Sequence, residues 1–211
     1  MTVSDSPVIA IVEDEPAVAE SYELWLDDEY EIRRAHDGAE ALEVIDDSVD
    51  VVLLDRMMPK LSGAEVLQEI REREVDCRVA MVTAVEPDLD VIEMGFDAYV
   101  TKPPERDDLL ETVRTLVERG SLSDDLQEYH SLLARRGALE AEQSAESLAE
   151  SEPYQELLER IEAKRLDVDE GLGDMGSDVE FVSAVREIDA DSDLFDGDGP
   201  ETADTSETTD D

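Results

Sequence analysis

The chain is short of most residues that staple, ligate or span. Cys77 is its only cysteine, so no disulfide can close within it. Its two histidines, His36 and His130, stand far apart, which argues against a histidine metal site. Only three of its bases are lysine: Lys60, Lys102 and Lys164. No apolar run approaches the roughly 20 residues of a membrane span. The start Met1-Thr2-Val3-Ser4-Asp5 lacks the basic opening and apolar core of a secretory signal, so a cytoplasmic protein without membrane contact is expected. No Walker loop and no G-x-G-x-x-G motif is present, which excludes the common nucleotide cradles.

What the chain has in excess is acid. Sixty Asp and Glu stand against 17 Lys and Arg in 211 residues, for a net charge of −43. A binder of naked nucleic acid carries the opposite balance. The acids run through helix after helix rather than forming one block. Such a dispersed, lysine-poor surface is similar to that of haloarchaeal proteins adapted to molar salt. At about 1 M salt the Debye length is about 3 Å, so the charge argument against DNA loses much of its force there.

Residues 8–119 alternate short apolar runs with helical patterns. Val8-Ile9-Ala10-Ile11-Val12, Val51-Val52-Leu53-Leu54 and Val79-Ala80-Met81-Val82 read as buried parallel strands. Tyr30 to Ala35 is more polar, as an edge strand would be. Pro16 opens a helix to about Asp27, where proline is tolerated. Asp37-Gly38 and Ser62-Gly63 introduce the next two helices. A strand starting near Cys77 and a short helix at roughly Leu89–Met94 follow, and Gly95 ends that helix. A last strand and a helix from Asp107 to Arg119 complete five strand–helix units. The expected fold is α/β with a five-stranded parallel sheet.

After Gly120 the pattern changes. Leu122, Leu126, Tyr129 and Leu133 keep heptad-like spacing, with Leu132, Leu139 and Leu148 beside them. Ser151-Glu152-Pro153 marks a break and restart. Tyr154, Leu157-Leu158, Ile161 and Leu166 form a second stripe, so an antiparallel α-hairpin is expected. Val179, Val182, Val185 and Ile188 suggest one more short helix. Residues 189–211 carry ten acids and no base, the composition of a disordered tail.

In an open parallel sheet, ligands bind beyond the carboxyl ends of the strands. Glu13 and Asp14, Asp55, Thr83 and Lys102 each follow one of the apolar runs. They should converge on one rim as three carboxylates, one hydroxyl and one ammonium. Carboxylate oxygens suit Mg²⁺, which keeps several waters and needs few protein ligands. An aspartate beside a metal and a lysine can accept a phosphoryl group. Each residue alone has an ordinary explanation: a strand-end acid is usually a cap, Lys102 before Pro103-Pro104 a surface residue, Tyr99 core. The order and joint spacing give the pattern its weight.

Val12-Glu13-Asp14, Leu54-Asp55-Arg56-Met57-Met58-Pro59, Thr83-Ala84 and Thr101-Lys102-Pro103-Pro104 together resemble the receiver domain of two-component response regulators. The resemblance covers about 8–119 and implies a flavodoxin-like, doubly wound sheet. It implies that Asp55 takes a phosphoryl group from a sensor histidine kinase. Asp14 and Asp55 would bind Mg²⁺ directly, with the Met57 backbone carbonyl. Glu13 holds the position where many receivers have Asp, and its longer arm would reach the ion through water. Thr83, Lys102 and the backbone N–H of Ala84 would hold the phosphoryl group. Tyr99 matches the aromatic switch residue, and Gly63 the small residue after the phosphorylation site. Asp55-Arg56-Met57 lacks the second aspartate of the haloacid-dehalogenase phosphatases. A separate enzymatic activity is therefore not expected.

Switching a 1:99 equilibrium to 99:1 needs roughly 5.5 kcal/mol. One charge-assisted hydrogen bond gives about 1.5–3 kcal/mol. Thr83 and Lys102 must therefore both engage. Movement of Thr83 would vacate space for Tyr99 and alter the face built by the short helix near 89–94, the strand at 98–101 and the helix at 107–119.

Leu139-Glu140-Ala141-Glu142-Gln143-Ser144-Ala145 through Tyr154-Gln155-Glu156-Leu157 resembles the HalX domain found after haloarchaeal receivers. The expected division is a receiver at 1–120, a HalX-like helical domain at 121–188 and the acidic tail at 189–211. Two copies could pair through the switching face or the helical hairpin. The alternative reading is a DNA-binding transcription regulator. Against it stands an acidic hairpin whose adjacent bases are Arg135-Arg136 and Lys164-Arg165, with no evident recognition helix. His130 lies on a helix and is not expected to serve as a phosphorelay histidine.

Met57 and Val85 lie two residues beyond Asp55 and Thr83, where the family tunes hydrolysis, and neither can orient an attacking water. Loss of the phosphoryl group is expected to be slow, and Met57→Asn is expected to speed it several-fold in a timed decay of the phosphorylated protein.

Overall fold

The computed structural model describes residues 6–174. It divides into two compact units, Met1–Val168 and Asp169–Asp211. The expected helix at 179–188 and the tail at 189–211 lie outside the described residues.

Five parallel strands form one sheet in the order β2-β1-β3-β4-β5: β1 (Val8–Val12), β2 (Glu31–Ala35), β3 (Val51–Leu54), β4 (Arg78–Thr83) and β5 (Ala98–Thr101). The three central strands are almost wholly buried, as their unbroken apolar runs require. Side chains alternate between the two faces. On one face Ile9, Ile11, Val51, Leu53, Ala80 and Val82 meet α1 (Pro16–Leu26) through Ala19, Tyr22 and Leu26, and α4 (Arg106–Arg119) through Leu109, Leu110, Val113 and Leu116. The opposite face is left to α2 (Gly38–Val44) and α3 (Gly63–Glu72), which pack on each other and bury Ala41, Val66, Leu67 and Ile70. A 3-10 segment, Leu89–Glu93, stands between β4 and β5, and Gly95 follows it at φ +74°.

The caps are those the sequence suggested. Pro16 starts α1, Asp37 accepts from the Ala39 and Glu40 amides, and Ser62 with Glu65 forms a reciprocal capping box. Edge strand β2 is blunted by Arg33, which bonds Val44 O and Asp46 Oδ1 at 3.0 Å and Ser48 Oγ at 2.7 Å. Beyond α4 the chain forms α5 (Asp124–Glu142), α6 (Ala145–Ala149) and α7 (Glu152–Asp174). Lys164 pairs with Asp125 and Glu128, and the Tyr154 hydroxyl bonds Glu140. Late residues of α7 thus meet early residues of α5, so the two are antiparallel. The restart at Ser151-Glu152-Pro153 is present, but the first helix ends sooner than that break. Helix α5 already ends at Gln143 in extended backbone, and Ser144 caps the short α6 before Pro153 enters the first turn of α7.

Helix α5 packs against the 3-10 segment and β5. It therefore buries more than its leucine stripe. Gln127, His130, Ser131 and Arg135 are buried along with Leu126, Tyr129, Leu132 and Leu139. His130 is 7% exposed, and burial, with the Arg119 charge, lowers its pKa to about 4. This enclosure removes it as a phosphorelay candidate.

Two outcomes follow. A Cβ on Gly63 would lie 2.1 Å from the Asp55 carbonyl oxygen and 2.9 Å from Arg56 Cα. Gly63→Ala is expected to destabilise the protein by about 1–3 kcal/mol or more, measured by denaturant unfolding at fixed KCl. His130 binds its proton more weakly folded than unfolded. Its stabilising effect is complete above pH about 6.5 and is lost as pH falls toward 4. At about 1.4 kcal/mol per pH unit the loss is of the order of 3 kcal/mol. The stability difference between wild type and His130→Gln should be flat above that window and shift by this amount within it.

Candidate functional site

The strand order reverses between β1 and β3, and the crevice at their carboxyl ends is where such sheets place ligands. Glu13 and Asp14 leave β1 and Asp55 leaves β3, in neighbouring register: Val12 pairs with Leu54, and the Asp55 amide donates to Val12 O at 2.9 Å. The three residues offer carboxylate oxygens within 4.8 Å of one another. Glu13 and Asp55 are 2% and 7% exposed, whereas Asp14 is partly open to solvent.

Lys102 closes the cluster. It follows β5, and its amide donates to Thr83 O at 2.9 Å, which continues the β4–β5 ladder. Its Nζ lies 2.6 Å from both Glu13 Oε2 and Asp55 Oδ2. Burial alone would lower its pKa, but the bonds to Asp55 and Glu13 outweigh that and hold it above the ordinary lysine value. Glu13 shows the opposite balance. Burial is the largest influence and, with the Asp55 charge, raises its pKa against the Lys102 bond and charge, which lower it. The second Asp55 oxygen, Oδ1, accepts from the Met57 amide at 3.1 Å.

Thr83 is fully buried, and its Oγ1 accepts from the Val85 amide at 3.3 Å. Ala84 follows it at the exposed rim. Tyr99 on β5 is half-buried; its hydroxyl donates to Val85 O at 2.5 Å, and its ring tilts against Phe96 at 5.5 Å. Met57 turns its side chain outward, 66% exposed. Gly63 lets α3 start against the Asp55 backbone, and its amide donates to Arg56 O at 3.0 Å. The residues singled out from sequence thus gather along the β1, β3, β4 and β5 ends.

Chemically, three acids with one bridging ammonium suit a hard divalent cation and a dianionic group together. The oxygen donors match Mg²⁺ in type and number. The ammonium matches the added negative charge.

Some participants were not found from sequence. Arg56 pairs through Nη2 with Asp90 in the 3-10 segment, while its Nη1 is buried without a partner. Its place directly after Asp55 was the available signal. Arg71 ties α3 to the start of β5 through Gly95 O and Asp97, and to Cys77 O. Arg135 sits between Leu132 and Leu139 on the buried stripe of α5, a position where a charge needs an explanation.

The model of the response regulator receiver domain matches residues 9–114, and that of the HalX domain matches 118–185. A Haloferax volcanii protein described as "Putative transcriptional regulator" is 41% identical over 182 residues, 86% of this chain and 31% of that protein. The transcriptional regulatory protein DltR of Streptococcus agalactiae serotype III is 37% identical over 119 residues, 54% of this chain and 53% of DltR. The matched regions therefore span about half or less of these relatives. The CheY-like receiver domain of Methanospirillum hungatei JF-1 superposes with a TM-score of 0.51 at 28% identity, covering 54% of this chain and 95% of that structure. The sheet order, the acidic rim and these matches agree: the chain belongs to the response regulator receiver family, with a HalX domain after the receiver.

Proposed function

We propose that this chain accepts a phosphoryl group on Asp55 from a sensor histidine kinase and relays its presence to the helical segment. The observation that carries this reading is Lys102 Nζ at 2.6 Å from both Glu13 and Asp55, beside Asp14. In this reading Glu13, Asp14, Asp55 and the Met57 carbonyl hold Mg²⁺, which when bound screens the charge between carboxylate and phosphoryl group. An Asp55 carboxylate oxygen bonds to phosphorus as the bond from phosphorus to the donor breaks, and the leaving group keeps the electron pair. Lys102, already on Asp55 Oδ2, supplies a point charge to the new phosphoryl oxygens. The Thr83 hydroxyl and the Ala84 amide add hydrogen bonds. Movement of the Thr83 hydroxyl toward the phosphoryl group would stretch its already long bond from the Val85 amide, beside the carbonyl that holds Tyr99.

Residues 1–120 form the phosphoacceptor domain in this reading, 121–188 the HalX output domain and 189–211 an acidic tail. The output is recognition of a partner, not a separate catalysis. No described helix is long and apolar enough to cross a membrane, and a kinase donor places the chain in the cytoplasm. The face of the 3-10 segment, β5 and α4 is partly covered by α5, so two copies pairing there would first displace it. The helical hairpin is the other surface for pairing. A second reading, operator binding, is favoured by the Haloferax relative described as a transcriptional regulator, whose match spans 86% of this chain. The burial of Arg135 removes one of the hairpin's few bases from that role.

Incubated with Mg²⁺ and acetyl phosphate in molar KCl, the protein should gain the mass of one phosphoryl group. Asp55→Asn should gain none. An unchanged intact mass in wild type, or an equal adduct on Asp55→Asn, refutes the assignment.

A further inference from the structure

The 3-10 segment Leu89–Glu93 is gripped from two sides. From the phosphoacceptor loop, Arg56 pairs with Asp90. From α5, Arg135 Nη1 donates to Ile92 O at 3.0 Å, and its Nη2 donates to Ser131 Oγ at 2.9 Å. Ser131 Oγ in turn donates to Phe96 O at 2.6 Å, where the segment leads into β5. Arg160 on α7 adds a pair with Glu93 at 3.1 Å. One short segment thus bears the contacts of both the residue after Asp55 and the helical extension.

The two grips differ in robustness. Arg135 is 7% exposed, its Nε has no partner, and its guanidinium bonds a carbonyl and a hydroxyl. Burying a cation on neutral acceptors sets desolvation against the bonds gained. The Arg135 bonds therefore orient α5 on the segment more than they stabilise it. Arg56 is also unevenly engaged. Its carboxylate partner Asp90 is half open to water, and its other neighbour is the neutral Tyr99 hydroxyl. A phosphoryl group adds about −1.5 to −2 charges on the adjacent residue. That charge competes with one solvated carboxylate for the guanidinium.

We propose that the 3-10 segment is a clutch, and that Arg56 is its positioning residue: phosphorylation of Asp55 draws Arg56 from Asp90, the segment shifts, and α5 loses its seat on Ile92 and Phe96. This rests on the reading of Asp55 as phosphoacceptor. The Tyr99 hydroxyl lies beside Arg56 as well as on Val85 O, so the rim and the clutch share that guanidinium.

Hydrogen–deuterium exchange of the full chain in molar KCl, with and without Mg²⁺ and beryllofluoride, tests this. Fluorine NMR reports whether the mimic is bound. Bound mimic should speed exchange of the Ser131–Leu139 amides at least tenfold while Val51–Leu54 in β3 stay protected. Asp90→Asn should show the fast exchange without mimic and no further response; Asp90→Glu should restore the wild-type response. Protection of β3 in each variant shows that the sheet is folded. Mimic bound to wild type with unchanged exchange in α5 overturns the clutch alone. A response retained in Asp90→Asn overturns it too. No mimic bound to wild type overturns the phosphoacceptor reading and the clutch with it.

Discussion

The bridge from Lys102 to Glu13 and Asp55 is the interaction on which the site depends. Two buried carboxylates side by side repel, and burial makes Glu13 harder to ionise. The raised pKa of Glu13 records that tension. The ammonium offsets it while the Lys102 backbone, just after β5, remains tethered to β4 through the Thr83 carbonyl. The sheet is thus more than a scaffold. Its parallel register brings β1, β3 and β5 ends to one rim, so that one cation can serve acids 42 and 47 residues apart in sequence from one another or from it, as the spacing of residues 13, 55 and 102 requires. Where such a rim must also take a metal and a phosphoryl group, the same lysine can exchange carboxylate oxygen for phosphoryl oxygen without leaving its place.

The receiver half was largely legible because its signals are local and repeated. Unbroken runs such as Val51–Leu54 can only be buried strands, and each ended at a residue with chemistry. Pro16, Asp37-Gly38 and Ser62-Gly63 marked helix starts by mechanisms that do not depend on tertiary context. The helical half was less legible. Its leucine spacing gave two antiparallel helices, but the turn at Gln143 has neither glycine nor proline to announce it. The breadth of the buried face of α5 was hidden for a related reason. Ser131 and Arg135 look like solvated residues until a neighbouring segment supplies carbonyls to receive them. Likewise the Arg56–Asp90 pair joins residues 34 apart, and no periodicity connects them.

The abundant acids leave most bases committed locally. Arg33, Arg71 and Arg73 each tie a helix or strand end to a carbonyl and a carboxylate. Arginine suits this work because its planar fork can meet two acceptors at once. In molar salt the exposed ion pairs lose strength, since surface charges are screened. Bonds to carbonyls and the half-buried pairs are less affected. The scarcity of lysine makes Lys102 conspicuous, and its burial fits the one role where a compact charge on a flexible stem is preferred to a fork.

The seat of α5 has a consequence for modularity. On the receiver side its hydrogen bonds with α5 fall on two main-chain oxygens, those of Ile92 and Phe96. Every amino acid brings that oxygen, so these bonds ask for a backbone path rather than for particular side chains. The polar part of the recognition is written in the helix, as Ser131 and Arg135 one turn apart. A helix bearing that pair is therefore portable: it could be grafted behind another receiver of the same backbone geometry, and output modules could be exchanged during evolution without redesigning the domain that commands them.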